Sequence, residues 1–127
     1  MESGQTDRWK PLLWVASSRK DFREFPEDVQ DEAGYDLWLV QQGGKPSSAK
    51  VLKGFGGADV LELVEDYASD TYRVVYTVRF GDAVYVLHAF QKKSKQGVKT
   101  PAKELDLVKS RLRAAAQDYK QRYSDGT

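Results

Sequence analysis

Residues 71–99 read TYRVVYTVRFGDAVYVLHAFQKKSKQGVK. Two runs rich in Val, Tyr, Phe and Thr, the residues that favour strands, flank Gly81-Asp82. Gly81 can supply the positive φ that tight hairpin turns require. The pattern therefore predicts an antiparallel β-hairpin. Its second strand runs straight into Lys92, Lys93 and Lys95 and carries a positive patch to the far end.

Alternation assigns the faces of this hairpin, because successive strand residues point to opposite sides. Tyr72, Val74, Tyr76, Val78 and Phe80 form one apolar face of the first strand. Arg73, Val75, Thr77 and Arg79 form a more polar one. On the second strand, Val84, Val86, His88 and Phe90 alternate with Tyr85, Leu87, Ala89 and Gln91. Both sets are largely apolar, which predicts a strand covered on both faces. Arg73 is a charge between Tyr72 and Val74. It either snorkels out, binds an anion, or pairs with Glu62, Glu65 or Asp66.

Composition narrows the chemistry. A chain of 127 residues fits one domain spanning 1–127, with residues 1–10 as a loose arm. It has no cysteine, so disulfides, thiolate metal sites and a cysteine nucleophile are excluded. One histidine, His88, cannot build a multi-histidine metal centre. No apolar run reaches membrane-spanning length and MESGQTDRWK lacks a signal peptide's apolar core, so a cytoplasmic protein with no membrane role is expected. The net charge of +1 conceals an asymmetry. Residues 91–123 carry ten Lys/Arg against three Asp/Glu, whereas residues 1–90 carry ten against fifteen. A basic segment of this kind suits a polyanion, or is the solvated face of a helix balancing an acidic body.

The remaining chain reads outward from the hairpin. PLLWVA (11–16) predicts a first strand, and Ser18 to Asp21 fits a helix N-terminal box bringing Phe22 and Phe25 inward. Pro26 opens a second helix whose core stripe is Val29, Ala33, Leu37 and Val40, and Gly43-Gly44 stops it. The glycines at 54, 56 and 57 mark a turn or bulge rather than a phosphate loop, since no following Lys-Ser/Thr accompanies them. Residues 59–65 predict a strand and 66–70 a polar loop. Thr100-Pro101 starts a long amphipathic helix with Leu105, Val108, Leu112, Ala115, Tyr119 and Tyr123 on its apolar stripe. Lys103, Lys109, Arg111, Arg113, Lys120 and Arg122 are expected on its polar side. The resulting order is β-α-α-β-β-β-α, an α+β domain with helices on a small antiparallel sheet.

Element order and hairpin residues together resemble the RelE/ParE toxin superfamily, and within it the phage-derived Gp49-like, HigB-type proteins. The resemblance rests on Glu62-Leu63, Tyr72-Arg73-Val74-Val75-Tyr76, the run from Leu87 to Ser94 (LHAFQKKS) and Lys99-Thr100-Pro101, and covers roughly residues 13–113. It implies a RelE-like fold with an N-terminal helical hairpin and a C-terminal helix. It implies a type II toxin that cleaves messenger RNA in the ribosomal A site without metal or other cofactor. The implied partner is a helix-turn-helix antitoxin, through which alone the toxin would meet operator DNA. Arg73 is implied near the scissile phosphate, Lys92 and Lys93 as the basic pair at the sheet's end, and His88 as a candidate acid or base. Lys95, Lys99 and Arg79 are the accompanying candidates for RNA phosphates. The same superfamily holds non-enzymatic gyrase inhibitors, and a catalytically weak RNA- or ribosome-binding module is the other alternative.

Metal-free RNA cleavage makes the 2′-hydroxyl attack its own phosphate. The protein must orient it, help its deprotonation and stabilise the added charge. Arginine suits the phosphorane because it stays charged and binds two oxygens at once. Each candidate also has a plainer role: a salt bridge for Arg73, solvation for Lys92 and Lys93, a hydrogen-bonded core position for His88, and core packing for Tyr72 and Tyr76.

Overall fold

The computed structural model describes residues 9–92 and 99–123. The elements are β1 (Leu12–Trp14), α1 (Ser18–Arg23), α2 (Glu27–Gln41), β2 (Ala49–Val51), β3 (Val60–Tyr67), β4 (Asp70–Thr77), β5 (Val84–Lys92) and α3 (Ala102–Tyr123). The five strands form one sheet in the order β1-β5-β4-β3-β2. The expected α+β layout is present, with one short edge strand, β2, added to it. The sheet is mixed rather than wholly antiparallel, because β1 pairs in parallel with the start of β5, Leu13 opposite Tyr85.

Both faces of this sheet are covered, which is why β5 is apolar on both sides. Phe22 and Phe25, with Val29, Ala33, Leu37 and Val40 of α2, pack on Leu63, Tyr72, Val74, Tyr76, Val84 and Val86. On the opposite face, Val108 and Ala115 of α3 pack with Val60, Val75, Tyr85, Leu87 and Phe90. Each buried Val, Leu or Phe contributes roughly 1.5–3 kcal/mol. These two apolar layers hold the three-layer stack together.

Strict alternation fails once, at a β-bulge in β5. Tyr76 lies opposite Val86 while Val75 lies opposite His88, so Leu87 has no cross-strand partner. The extra residue shifts the parity of everything after it. His88 and Phe90, expected on the face of Val84 and Val86, sit instead on the α3 face, and Ala89 takes the α1–α2 face.

Turns and caps depart from the reading in detail. Gly81 does not adopt positive φ; the β4–β5 connection closes through Ala83 N–H donating to Phe80 O at 3.2 Å. The polar loop expected at 66–70 is shorter, because β3 and β4 pair as far as Tyr67 and Asp70, and Ala68 takes φ 57°. Ser17, not Ser18, holds the N-cap position of α1, without a side-chain capping bond, and the Ser18 hydroxyl donates to Val86 O across the core. The end of α2 is as read: Gly43, at φ 93°, donates to Val40 O, and Gly44 donates to Leu39 O. Those two bonds form a Schellman stop, for which the positive φ of a glycine is suited. Gly54 and Gly56 also have positive φ, consistent with a turn.

One acid on the α2 face is set up to respond to pH. Glu65 of β3 is pushed up from 4.5 to about 7, first by burial, then by its hydrogen bond to Asp36 and the charges of Asp36, Glu32 and Asp66. Its Oε2 is a buried atom without a partner, as suits a carboxyl that retains its proton. The native state therefore binds a proton that the unfolded chain releases, and this contribution is complete below pH 4.5. It is lost as pH rises through about 7. Glu65→Gln is expected to flatten the urea midpoint across that window. It should also stabilise the protein by about 1 kcal/mol at high pH, less than full linkage because solvent screens the group. Urea melts at several pH values check this.

Candidate functional site

The bulge, β3 and α3 together bury two ionic networks on the α3 face of the sheet. In the first, Arg73 of β4 is only 5% exposed and its Nη1 donates to Glu62 Oε1 at 3.0 Å. Glu62 is 4% exposed, and its other oxygen accepts from the Thr100 hydroxyl at 2.9 Å. Thr100, expected to cap α3, thus reaches across to the sheet. The register explains the choice of partner. Val64 lies directly opposite Arg73, so Glu62 and Asp66 are its diagonal neighbours on the same face, while Glu65 points the other way. Arg73, expected beside a scissile phosphate, lies in the interior, where the sheet buries it against the Glu62 carboxylate.

The second network surrounds His88. Its Nε2 is 2.6 Å from Glu104 Oε1, and its Nδ1 is 3.3 Å from Arg111 Nη1. Arg111 also donates to Leu87 O at 3.1 Å and to the Ser17 hydroxyl at 3.0 Å. Ser17 in turn donates to Asp21 Oδ2 at 2.8 Å. The His88 ring stacks on Phe90 with centroids 4.8 Å apart. Arg111, expected on the polar side of α3, is corrected to the sheet-facing side, where the carbonyl of the bulged Leu87 and the imidazole give it acceptors.

A groove of about 580 Å³ opens over this network. Its lining includes His88, Glu104, Tyr72, Gln91, Asp21 and Glu24. At its end β5 continues to Lys92, whose Nζ donates to Lys99 O at 2.8 Å. Lys92 and Lys99 are therefore brought together beside the groove. Lys93 and Lys95 lie outside the described residues. Arg79 is not part of this group. It follows Thr77, at the opposite end of β4 from the Thr71–Lys92 pair, and is engaged by Asp59 at 2.9 Å and Phe55 O at 2.7 Å.

Two residues of the site escaped the sequence reading, Glu104 and Arg111. A signal was present, since helical spacing puts positions 104, 108, 111 and 115 on one stripe, with Val108 and Ala115 at its buried centre. Farther along α3, Tyr85 donates to Asp118 at 2.6 Å and Tyr119 to Asp82 at 2.6 Å, anchoring the helix at its other end. Arg122 and then Tyr85 hold the Asp118 carboxyl below its ordinary range. Among the described residues, no three carboxylate or imidazole groups come together as a metal site, and no helix is long and apolar enough to cross a membrane.

A search of curated proteins finds no match. Among solved structures, the chain is similar to the RelBE2 toxin–antitoxin complex from Mycobacterium tuberculosis. The identity is 13%, the TM-score is 0.47, and the match covers 68% of this chain and 94% of that one. The family model described as phage-derived protein Gp49-like matches residues 20–113, well over half the chain. The protein therefore belongs to the phage-derived Gp49-like family.

Proposed function

We propose that this protein is the toxin of a type II toxin–antitoxin pair that cleaves messenger RNA on the ribosome and is silenced by a helix-turn-helix antitoxin. The supporting observation is the His88–Glu104 couple, hydrogen-bonded at 2.6 Å on the wall of the groove that ends beside Lys92 and Lys99. A couple of that kind supplies proton transfer, and the adjacent lysines supply charge for the phosphate. No interior cation is required to move, since Arg73 keeps its bond to Glu62. Mapping messenger-RNA 5′ ends after brief induction tests the reading. Discrete new ends within translated codons are expected. Growth arrest with DNA damage and no new ends would instead identify a gyrase inhibitor.

A second reading, a ribosome-binding module without catalysis, is favoured by one feature. Asp21, Glu24 and Glu104 all line the groove, and carboxylates repel phosphate. Under that reading the purified protein binds ribosomes and blocks elongation while the transcript stays intact.

Binding to RNA should weaken with salt, since each phosphate contact on a single strand contributes a slope of about −0.7 in log K against log salt. Lys92→Ala and Lys99→Ala are each expected to lower the slope by about one contact, with Arg79→Ala leaving it unchanged. Ribosome-complex affinities at several salt concentrations measure this.

A further inference from the structure

We propose that Glu104 is the general base of this site, and that His88 and Arg111 are positioning residues that set its orientation. The inference rests on the nuclease reading above and assigns its proton acceptor.

A guanidinium has donors only, so the Arg111 Nη1 facing His88 Nδ1 makes Nδ1 an acceptor. The ring proton of the neutral imidazole is then on Nε2, aimed at Glu104 Oε1, 2.6 Å away. An ionised carboxylate only accepts, so the pair is complete with His88 donating. In this arrangement His88 has no nitrogen left to take a proton. Nε2 already carries one, and Nδ1 is turned to a fixed cation. Arg111 is itself held by Leu87 O and the Ser17 hydroxyl, and Ser17 passes its own proton donor to Asp21. One half-buried guanidinium thereby orders two groove carboxylates, Asp21 through a serine and Glu104 through a histidine.

Exposure separates the two members of the couple. The Glu104 side chain is 23% exposed and that of His88 only 6%. Among the described residues, Oε2 of Glu104 has no hydrogen-bond partner. The carboxylate is therefore the group a substrate can touch, and the imidazole stands behind it. Arg111 and Glu104 belong to the same helix, seven residues apart, and α3 brings both to the bulge at Leu87.

Glu104 takes the proton of the RNA 2′-hydroxyl while the bond from O2′ to phosphorus forms. The bond from phosphorus to O5′ breaks, and the departing oxygen takes a proton from water. The products are a 2′,3′-cyclic phosphate and a 5′-hydroxyl, after which Glu104 returns its proton to solvent. His88 donates to the carboxylate throughout and changes no bond of its own.

Two measurements test the assignment. The first is single-turnover cleavage of messenger RNA bound to programmed ribosomes. Glu104→Gln is expected to lower the rate roughly 10²–10⁴-fold. His88→Gln keeps an N–H donor near the Nε2 position but cannot carry a proton, and is expected to stay within about tenfold of the parent. The second is the ¹⁵N imidazole spectrum of the chain's one histidine. The Nε2–H tautomer is expected, lost in Arg111→Ala and recovered at least in part in Arg111→Lys. Urea melts on each variant confirm that it folds. Glutamine at position 88 as inactive as glutamine at 104 would show the imidazole moving the proton, and would overturn the assignment. So would parental cleavage by Glu104→Gln, or an Nδ1–H tautomer. A parent protein that binds ribosomes without cutting overturns the nuclease reading together with its base, an outcome distinct from cutting that ignores Glu104.

Discussion

Replacing Arg73 by alanine lowers the unfolding free energy by roughly 3–5 kcal/mol, the usual cost of leaving one member of a buried ion pair behind. The carboxylate of Glu62 stays 4% exposed, and among the described residues its remaining donor is the Thr100 hydroxyl. A paired change behaves differently. Arg73→Met with Glu62→Leu removes both charges from the interior and fills similar volume, so its stability is expected near that of the parent or above it. Urea melts with an unchanged m value measure both. A loss below about 1 kcal/mol in the single variant would show that solvent reaches the pair after all. The comparison also governs how activity is read. Inactive Arg73→Ala is expected from unfolding alone, whereas the folded double variant reports on the guanidinium. Cleavage retained there would confine Arg73 to holding the sheet.

Leu87→Ala is expected to cost about 2–5 kcal/mol, as cavity-forming changes at leucine do. Leu87 is fully buried, sits at the bulge and packs beneath α3. Only Val108 and Ala115 of α3 are fully buried, so the helix depends on the few large side chains it meets on the sheet. The loss is therefore expected to fall first on α3, seen as faster amide exchange in that helix than in α2. Leu107→Ala provides the contrast. Leu107 is 36% exposed on the same helix and its removal should change stability by no more than about 0.5 kcal/mol. Equal effects at the two positions would mean that α3 is not held through the bulge.

Much of the fold was legible because its signals are local. Val29, Ala33, Leu37 and Val40 all face the core as their spacing requires, and Gly43 ends α2 with the φ that only glycine adopts freely. The apolar character of both faces of β5 announced a covered strand, and α1–α2 and α3 cover it. The candidate site was less legible. His88, Lys92 and Lys99 are candidates on the sequence alone, but the partners of His88, Glu104 and Arg111, are not.

What the residues determined by themselves was most of the elements, the glycine stop of α2 and which stripe of each helix is apolar. These follow from interactions between neighbours three or four positions apart, and from alternation within a strand. Only the tertiary structure decided that Leu87 bulges, so that His88 turns toward α3, and that Arg73 meets Glu62 rather than Asp66 or Glu65. It alone brought Arg111 to a histidine and a serine far away in the chain. The physical reason is register. A shift of one residue in pairing exchanges the two faces of a strand, and which carboxylate a buried cation reaches depends on a neighbouring strand that local sequence does not specify.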